Sequence, residues 1–242
     1  MPVRDRRVLA ILPALDEEAT VDAVVSDVRS AVGCDVLVID DGSTDRTAVK
    51  ARAAGAAVVR HPFNLGVGAA IRTGLRYARD RGYEFVVQVD ADGQHDTASA
   101  LELLGPVRAG DADLVVGSRF ANGYEVSGTR SAGMKMLARI VSRRVGAPIT
   151  DTTSGYRAFG PRAIAPLAEL YPSEYLSDTV EALLIAHDLG LRIVERPVSM
   201  RPRMGGRSSA GWFRSTYLLV RLLLVIAFHP LRRPRLERED VS

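Results

Sequence analysis

Five short, uninterrupted apolar runs constrain this 242-residue chain more than any other feature. They are Val8-Leu-Ala-Ile-Leu12, Val36-Leu-Val-Ile39, Ala57-Val-Val59, Phe85-Val-Val-Gln-Val89 and Leu114-Val-Val116. Runs this short, without polar alternation, predict strands buried on both faces. The segments between them carry helical spacing, as in Val21, Val24, Val25, Val28 and Val32. The acidic Asp16-Glu-Glu18 is expected in the first turn of that helix, where carboxylates suit the helix dipole. Ser43-Thr-Asp-Arg-Thr47 is expected to start the next helix. Further helices are expected over about 66–81 and 98–108. Strands alternating with helices mean a parallel sheet covered on both sides, so the first ~120 residues read as a Rossmann-like α/β unit.

Beyond Arg119 the pattern loosens. A polar loop is expected over 121–129, a helix over 131–145 and an irregular segment over 151–156. Helices near 162–170 and 179–189, a strand near 192–195 and a second loop over 200–211 complete the body. With no repeat or low-complexity linker, residues 1–211 read as one fused domain. Residues 212–242 form a separate apolar helix and basic tail. The 17 residues Trp212–Phe228 would span about 25 Å as a helix, against roughly 30 Å for a bilayer core. Arg221 near the middle adds about 2.5 kcal/mol of insertion cost. The segment therefore reads either as a helix lying at a membrane surface or as a core or dimer helix, the latter making a homo-oligomer.

Charge sharpens this reading. From Arg192 onward eleven arginines face four acidic residues, a surplus of seven, whereas the preceding chain carries −4 to give the overall +3. A basic end on an acidic body points to an anionic partner such as phospholipid or phosphate. Arginine makes up 30 of the 32 basic residues, so codon bias is the competing explanation. Nucleic acid is not expected as a partner, because the basic end has no aromatic platform or recognition motif. A single cysteine, Cys34, excludes a disulfide framework and a cysteine zinc site, and fits a cytoplasmic setting. The N-terminus has no apolar signal segment.

The residues that carry chemistry fall where strands end. Asp90-Ala-Asp92 follows the Phe85–Val89 run, at the carboxyl edge where open α/β sheets bind ligands. Two carboxylates on alternate residues can share Mg²⁺ or Mn²⁺, and such a cation neutralises a departing diphosphate. A turn with Asx-type hydrogen bonds is the alternative. Pro13-Ala-Leu-Asp-Glu17, Asp40-Asp-Gly-Ser-Thr-Asp45 and Asn64-Leu-Gly-Val-Gly68 follow the first three strands. A carboxylate such as Asp41 can accept the imide hydrogen of uracil or guanine. The glycines at 66 and 68 allow either close ligand approach or helix packing. No Gly-Lys-Ser/Thr follows, so this is not a P-loop.

These motifs resemble family 2 glycosyltransferases, in particular the dolichol-phosphate mannosyltransferase and polyprenyl-phosphate glycosyltransferase branch. The match runs through Pro13-x-x-Asp-Glu-Glu18, Asp40-Asp-Gly-Ser43, Asn64-x-Gly-x-Gly68, Asp90-Ala-Asp-Gly-Gln-His95, Gly117-Ser-Arg119 and Asp151-x-Thr-Ser-Gly-Tyr-Arg157. It covers about residues 8–210. The resemblance implies an A-type glycosyltransferase fold, a Rossmann-like nucleotide-sugar half with a mostly parallel sheet fused to an acceptor-binding half. It also implies that Pro13, Leu15, Glu17 and Asp41 border nucleobase and ribose. Asp90 would touch ribose or sugar, and Asp92 and Gln94 would hold Mg²⁺ or Mn²⁺ on the diphosphate. Leu15 stands where the family often has an aromatic, which leaves uracil and guanine both open. His95 receives no role beyond packing or hydrogen bonding.

A lipid phosphate acceptor is already anionic at neutral pH and needs no general base, whereas an alcohol does. Arg119, Arg130 and Arg207 can grip an acceptor phosphate or the diphosphate. The resemblance implies that Asp151 is the carboxylate nearest the reacting centre, as base or acceptor positioner, and Thr153 and Ser154 can donate hydrogen bonds nearby. Arg157 either joins them or pairs with Asp151. The expected activity is inverting, metal-dependent transfer of a hexose from a UDP- or GDP-sugar to a polyprenyl phosphate, by an enzyme peripheral to the cytoplasmic membrane face. The alternatives are a soluble hydroxyl acceptor, or a non-enzymatic nucleotide-sugar-binding scaffold.

Overall fold

Seven strands form one sheet in the computed structural model, which describes residues 5–120, 129–173 and 178–199 together with Ile226. The chain runs β1 (Asp5–Ala14), α1 (Val21–Val32), β2 (Cys34–Asp40), α2 (Thr47–Ala53), β3 (Ala57–Arg60), α3 (Val67–Asp80) and β4 (Phe85–Gln88). It continues through α4 (Ser99–Ala109), β5 (Leu114–Ser118), α5 (Thr129–Val145), β6 (Arg157–Phe159), α6 (Pro161–Leu170), α7 (Asp178–Asp188) and β7 (Ile193–Pro197). The strand order is β3-β2-β1-β4-β6-β5-β7. Every pairing is parallel except those of β6, which runs antiparallel between β4 and β5.

Four of the five apolar runs form strands whose alternate side chains enter two different cores; the exception is Ala57–Val59, which forms the edge strand β3 and is exposed or half-buried. Leu9, Ile11, Leu37, Ile39, Val86, Leu114 and Val116 face the layer holding α3, α5, α6 and α7. Val8, Ala10, Leu12, Val36, Val38, Val87 and Val115 face the layer of α1 and α4. Burial on both faces explains why polar alternation is missing from these strands. Burial pushes the Cys34 thiol up to about 12, so it packs as a small hydrophobe. Ile226 packs on the first core. Among the described residues no helix is long and apolar enough to cross a membrane.

Two local expectations need correction. The acidic run 16–18 does not open a helix: α1 starts at Val21, with Thr20 as its cap residue, and the three acids lie in the preceding loop. The three-residue β6 was not expected, because Arg157-Ala-Phe has neither the length nor the apolar continuity of the other strands. Chain order reverses at β1, since β2 and β3 lie on one side and β4 on the other. That switch point places the loops after β1 and β4 together at the carboxyl edge. Of the loop expected over 121–129, Thr129 instead opens α5; residues 121–128, the loop expected over 200–211 and Trp212–Phe228 apart from Ile226 lie outside the described residues.

Candidate active site

The loop after β4 carries Asp90 and Asp92, and several contacts fix its shape. The Asp90 N–H donates to His95 Nδ1 at 3.0 Å. Nδ1 is therefore the acceptor, and the ring proton sits on Nε2, 3.5 Å from Asp90 Oδ2. The His95 ring stacks on Tyr156 at 4.3 Å, and the Tyr156 hydroxyl donates to the Asp96 carbonyl at 2.9 Å. Thr20 donates to the Ala91 carbonyl at 2.8 Å, and the Gln94 N–H donates to Asp92 Oδ1 at 3.0 Å. Asp90, Asp92 and Gln94 remain half-buried at the edge. His95 thus has the hydrogen-bonded packing role expected of it.

The loops after β1 and β2 are laced together by reciprocal bonds. Backbone N–H groups of Asp16, Glu17 and Glu18 donate to Ser43, Thr47 and Asp45 at 3.0, 2.8 and 3.0 Å. In return, Asp16 accepts from the Thr44 N–H at 2.8 Å and Glu18 from the Arg46 N–H at 3.1 Å. These acids satisfy a neighbouring loop instead of a helix terminus, which accounts for the late start of α1. Asp16 takes φ +54 to reach its partners. Pro13 lies within β1 opposite Ile39, Leu15 is 40% exposed, and Glu17 accepts from Thr20 at 3.1 Å.

Asp41 is buried, and both of its oxygens are committed to the protein. Oδ1 meets His61 Nδ1 at 2.6 Å and accepts the Leu65 N–H at 2.9 Å. Oδ2 accepts the Gly66 N–H at 2.8 Å. His61 continues to Thr73 on α3 at 2.9 Å. Asp41 therefore shapes the 61–66 loop.

On the other half, Asp151 is fully buried and holds Arg119 at two points. Arg119 Nε donates to Oδ2 at 2.7 Å and Nη2 to Oδ1 at 3.0 Å. Thr153 joins them, donating to Asp151 Oδ1 at 3.2 Å and accepting from Arg119 at 3.2 Å. Ser154 accepts the Tyr156 N–H at 3.2 Å. The same segment abuts the carboxylate loop. A Cβ on Gly155 would sit 3.2 Å from Asp90 Oδ1 and 3.3 Å from Gln88 Nε2, so the segment runs close beside these two side chains. The side chain of Arg130, on α5, and all of Arg207 lie outside the described residues.

A model of glycosyl transferase family 2 matches residues 9–165. The chain belongs to that family. It is similar to an undecaprenyl-phosphate mannosyltransferase of Micrococcus luteus, at 34% identity over 84% of this chain and 86% of that protein. It is also similar to a UDP-N-acetylglucosamine–dolichyl-phosphate N-acetylglucosaminyltransferase of Methanococcus voltae, at 30% identity over 80% and 85% of the two chains. Glucosyl-3-phosphoglycerate synthase of Mycobacterium tuberculosis, solved with Mn²⁺, UDP and glucosyl-3-phosphoglycerate, superposes with a TM-score of 0.69. That match is 23% identical and covers 95% of this chain and 81% of the other. It shows that the two share a fold.

Next to Asp90 this family 2 glycosyltransferase buries a polar cluster that sequence reasoning missed. Arg157 is fully buried, and its guanidinium donates to the carbonyls of Ser154 at 3.1 Å and Thr179 at 2.7 Å. The alternative of a pair between Arg157 and Asp151 is not made, since Asp151 is held by Arg119. Asp178 Cβ lies 3.1 Å from where a Cβ on Gly68 would stand, at the start of α3. Burial raises the Asp178 carboxyl above the usual range, against the pull of Arg157. Among the described residues Arg157 Nη1, Asp178 Oδ2 and Gln88 Oε1 are buried with no hydrogen-bond partner, and the Tyr171 hydroxyl lies against Arg157. Buried polar atoms of this kind are met by a ligand or water where no protein group reaches them. Asp178 was invisible in the sequence because an acid at the start of a helix is ordinary.

Among the described residues no three His, Cys, Asp or Glu side chains converge on one metal position. The Asp92 carboxylate and the Gln94 amide nevertheless offer oxygen donors of the kind Mg²⁺ or Mn²⁺ takes. One carboxylate and one amide leave ligand positions for diphosphate oxygens, so the residues fit a cation that arrives with its nucleotide.

Proposed function

We propose that the chain transfers a hexose, with inversion, from a UDP- or GDP-sugar to a polyprenyl phosphate in a divalent-metal-dependent reaction. The observation that carries this reading is the contact at Gly155. It brings the segment bearing Asp151, and with it Arg119, against the carboxylate of Asp90. A metal-diphosphate site and a phosphate-binding arginine thus share one edge of the sheet. The names of the two curated relatives, which act on undecaprenyl and dolichyl phosphates, support the acceptor.

In this reading Pro13, Leu15 and Glu17 border the base and ribose, and Asp41 acts on them through the 61–66 loop. Asp92 and Gln94 hold Mg²⁺ or Mn²⁺, which supplies positive charge to the leaving diphosphate when bound. Asp90 and the orphaned groups of Gln88, Arg157 and Asp178 meet the hexose hydroxyls. Arg119, with Arg130 and Arg207, draws the acceptor phosphate to the face opposite the leaving group. The bond from the anomeric carbon to the diphosphate breaks, and one from that carbon to a phosphate oxygen forms. The acceptor oxygen is already ionised at neutral pH, so Asp151 orients Arg119 without taking a proton. The surplus of seven positive charges from Arg192 onward favours an anionic membrane surface as the place where the enzyme meets this acceptor.

The test is an acceptor panel with UDP- and GDP-hexoses: a short polyprenyl phosphate, the matching polyprenol and a soluble sugar alcohol. Product with the phosphate alone supports the reading. Product with the soluble hydroxyl alone replaces it with the second acceptor class.

A further inference from the structure

Glu195 lies on β7, the edge strand, in register with Val116 of β5. Its half-buried carboxylate reaches the turn that leads into Asp151. Oε1 accepts the backbone N–H groups of Thr150 at 2.7 Å and Asp151 at 2.9 Å. Oε2 accepts the Thr150 hydroxyl at 2.7 Å. Thr150 has one hydroxyl proton and spends it on the carboxylate. Its 2.7 Å contact with Ser118 must therefore be one in which Ser118 donates. Ser118 Oγ in turn accepts the Phe120 N–H at 3.2 Å. A one-way chain runs from Phe120 through Ser118 and Thr150 to Glu195, and the terminal anion polarises each donor.

Arg119 sits between Ser118 and Phe120. Its backbone is held from both sides by that chain. Its guanidinium is held by Asp151, whose own amide ends on Glu195. Two of the routes that set the direction of Arg119, through its backbone and through Asp151, therefore terminate on one carboxylate.

We propose that Glu195 is a positioning residue that aims Arg119 at the acceptor phosphate. This rests on the reading of Arg119 given above. Glutamine has nearly the same volume but one acceptor oxygen in place of two, so it cannot take all three protons. Glu195→Gln breaks the chain while leaving the sheet edge filled.

The experiment measures equilibrium binding of farnesyl phosphate, and separately of UDP and GDP with Mn²⁺, to the full chain. The parent is compared with Arg119→Ala, Glu195→Gln and the double variant. The expected result is that Glu195→Gln weakens farnesyl phosphate about tenfold and leaves nucleotide affinity within about twofold. The double variant should bind farnesyl phosphate no more weakly than Arg119→Ala alone, because both changes remove one interaction. A residue that merely supports the fold would weaken nucleotide as well and would add to the Arg119 loss. If Glu195→Gln fails to fold, Thr150→Val cuts the same chain midway and is read in its place. Binding that depends on Arg119 but ignores both cuts overturns the role of Glu195 alone. A parent that binds no farnesyl phosphate, or binds it equally without Arg119, overturns the reading of Arg119 and this proposal with it.

Discussion

Arg119 and Asp151 form a two-point ion pair across 32 residues of sequence, with Nε–Oδ2 at 2.7 Å and Nη2–Oδ1 at 3.0 Å. The carboxylate is wholly buried, whereas the arginine side chain is 30% exposed. The pair therefore has an inner anchor and an outer, partly exposed cation. A planar guanidinium held at two points keeps one orientation, which a lysine would not.

Removing the anchor strands a cation. Asp151→Ala should destabilise the protein by about 3 kcal/mol, the cost of breaking a buried pair from one side. In a domain of this size that lowers Tm by roughly 10 °C. Arg119→Lys should melt closer to the parent yet raise KM for a polyprenyl phosphate. Thermal denaturation and steady-state kinetics check both outcomes. A fully stable Asp151→Ala protein would contradict the anchor.

Asp41→Asn should raise KM for the nucleotide sugar and spare kcat, because Asp41 shapes the loop at the base and does not meet the reacting carbon. The new amide would face the N–H of Leu65 or Gly66, costing about 1–3 kcal/mol of stability. Finding kcat reduced with KM unchanged would move Asp41 to the reacting centre.

Much of this architecture was legible in the sequence. The strands of the first half follow from apolar runs whose two faces enter two cores, and the carboxyl-edge position of Asp90 and Asp92 follows from strand order. What was hidden is non-local. Asp41 meets His61 from 20 residues away, and Asp151 chose Arg119 over the closer Arg157. The acids at 16–18 look like a helix start because local pattern cannot reveal that residues 44–46 need acceptors. β6 escaped notice since three residues flanked by paired strands need no apolar signature of their own. Asp178 gave no sign of burial beside Arg157.

The Asp178 carboxyl is raised by burial, and this sets a pH signature. Below the ordinary carboxyl range both the folded and unfolded forms are protonated and nothing is lost. As pH rises toward the raised native value, the unfolded chain ionises first, and folding increasingly opposes it. Parent stability relative to Asp178→Asn should therefore fall as pH rises above the ordinary carboxyl range of about 4. Melting curves for both proteins from that pH upward check the slope. A difference in Tm independent of pH would show that Asp178 is not held in this way. The variant should also bind nucleotide sugar more weakly while binding the nucleoside diphosphate normally.

Asp92→Ala should remove metal-dependent turnover without changing Tm by more than a few degrees, because Asp92 is half-buried at the edge and outside both cores. The loss should reach several kcal/mol of transition-state stabilisation, the scale for uncompensated diphosphate charge. Binding of Mn²⁺ in the presence of UDP or GDP, followed by electron paramagnetic resonance, should vanish with activity. Retained Mn²⁺ binding would move the cation site elsewhere.

The central claim joins a metal-diphosphate site to a lipid phosphate acceptor, and one measurement tests both halves. Nucleoside diphosphate release from UDP- and GDP-hexoses is followed with and without Mg²⁺ or Mn²⁺, and with and without a short polyprenyl phosphate. The account predicts release only when both metal and polyprenyl phosphate are present, matched mole for mole by hexosyl phosphoprenol of inverted anomeric configuration. Equal release in the presence of a chelator, or release that ignores polyprenyl phosphate and follows a soluble hydroxyl, would contradict it.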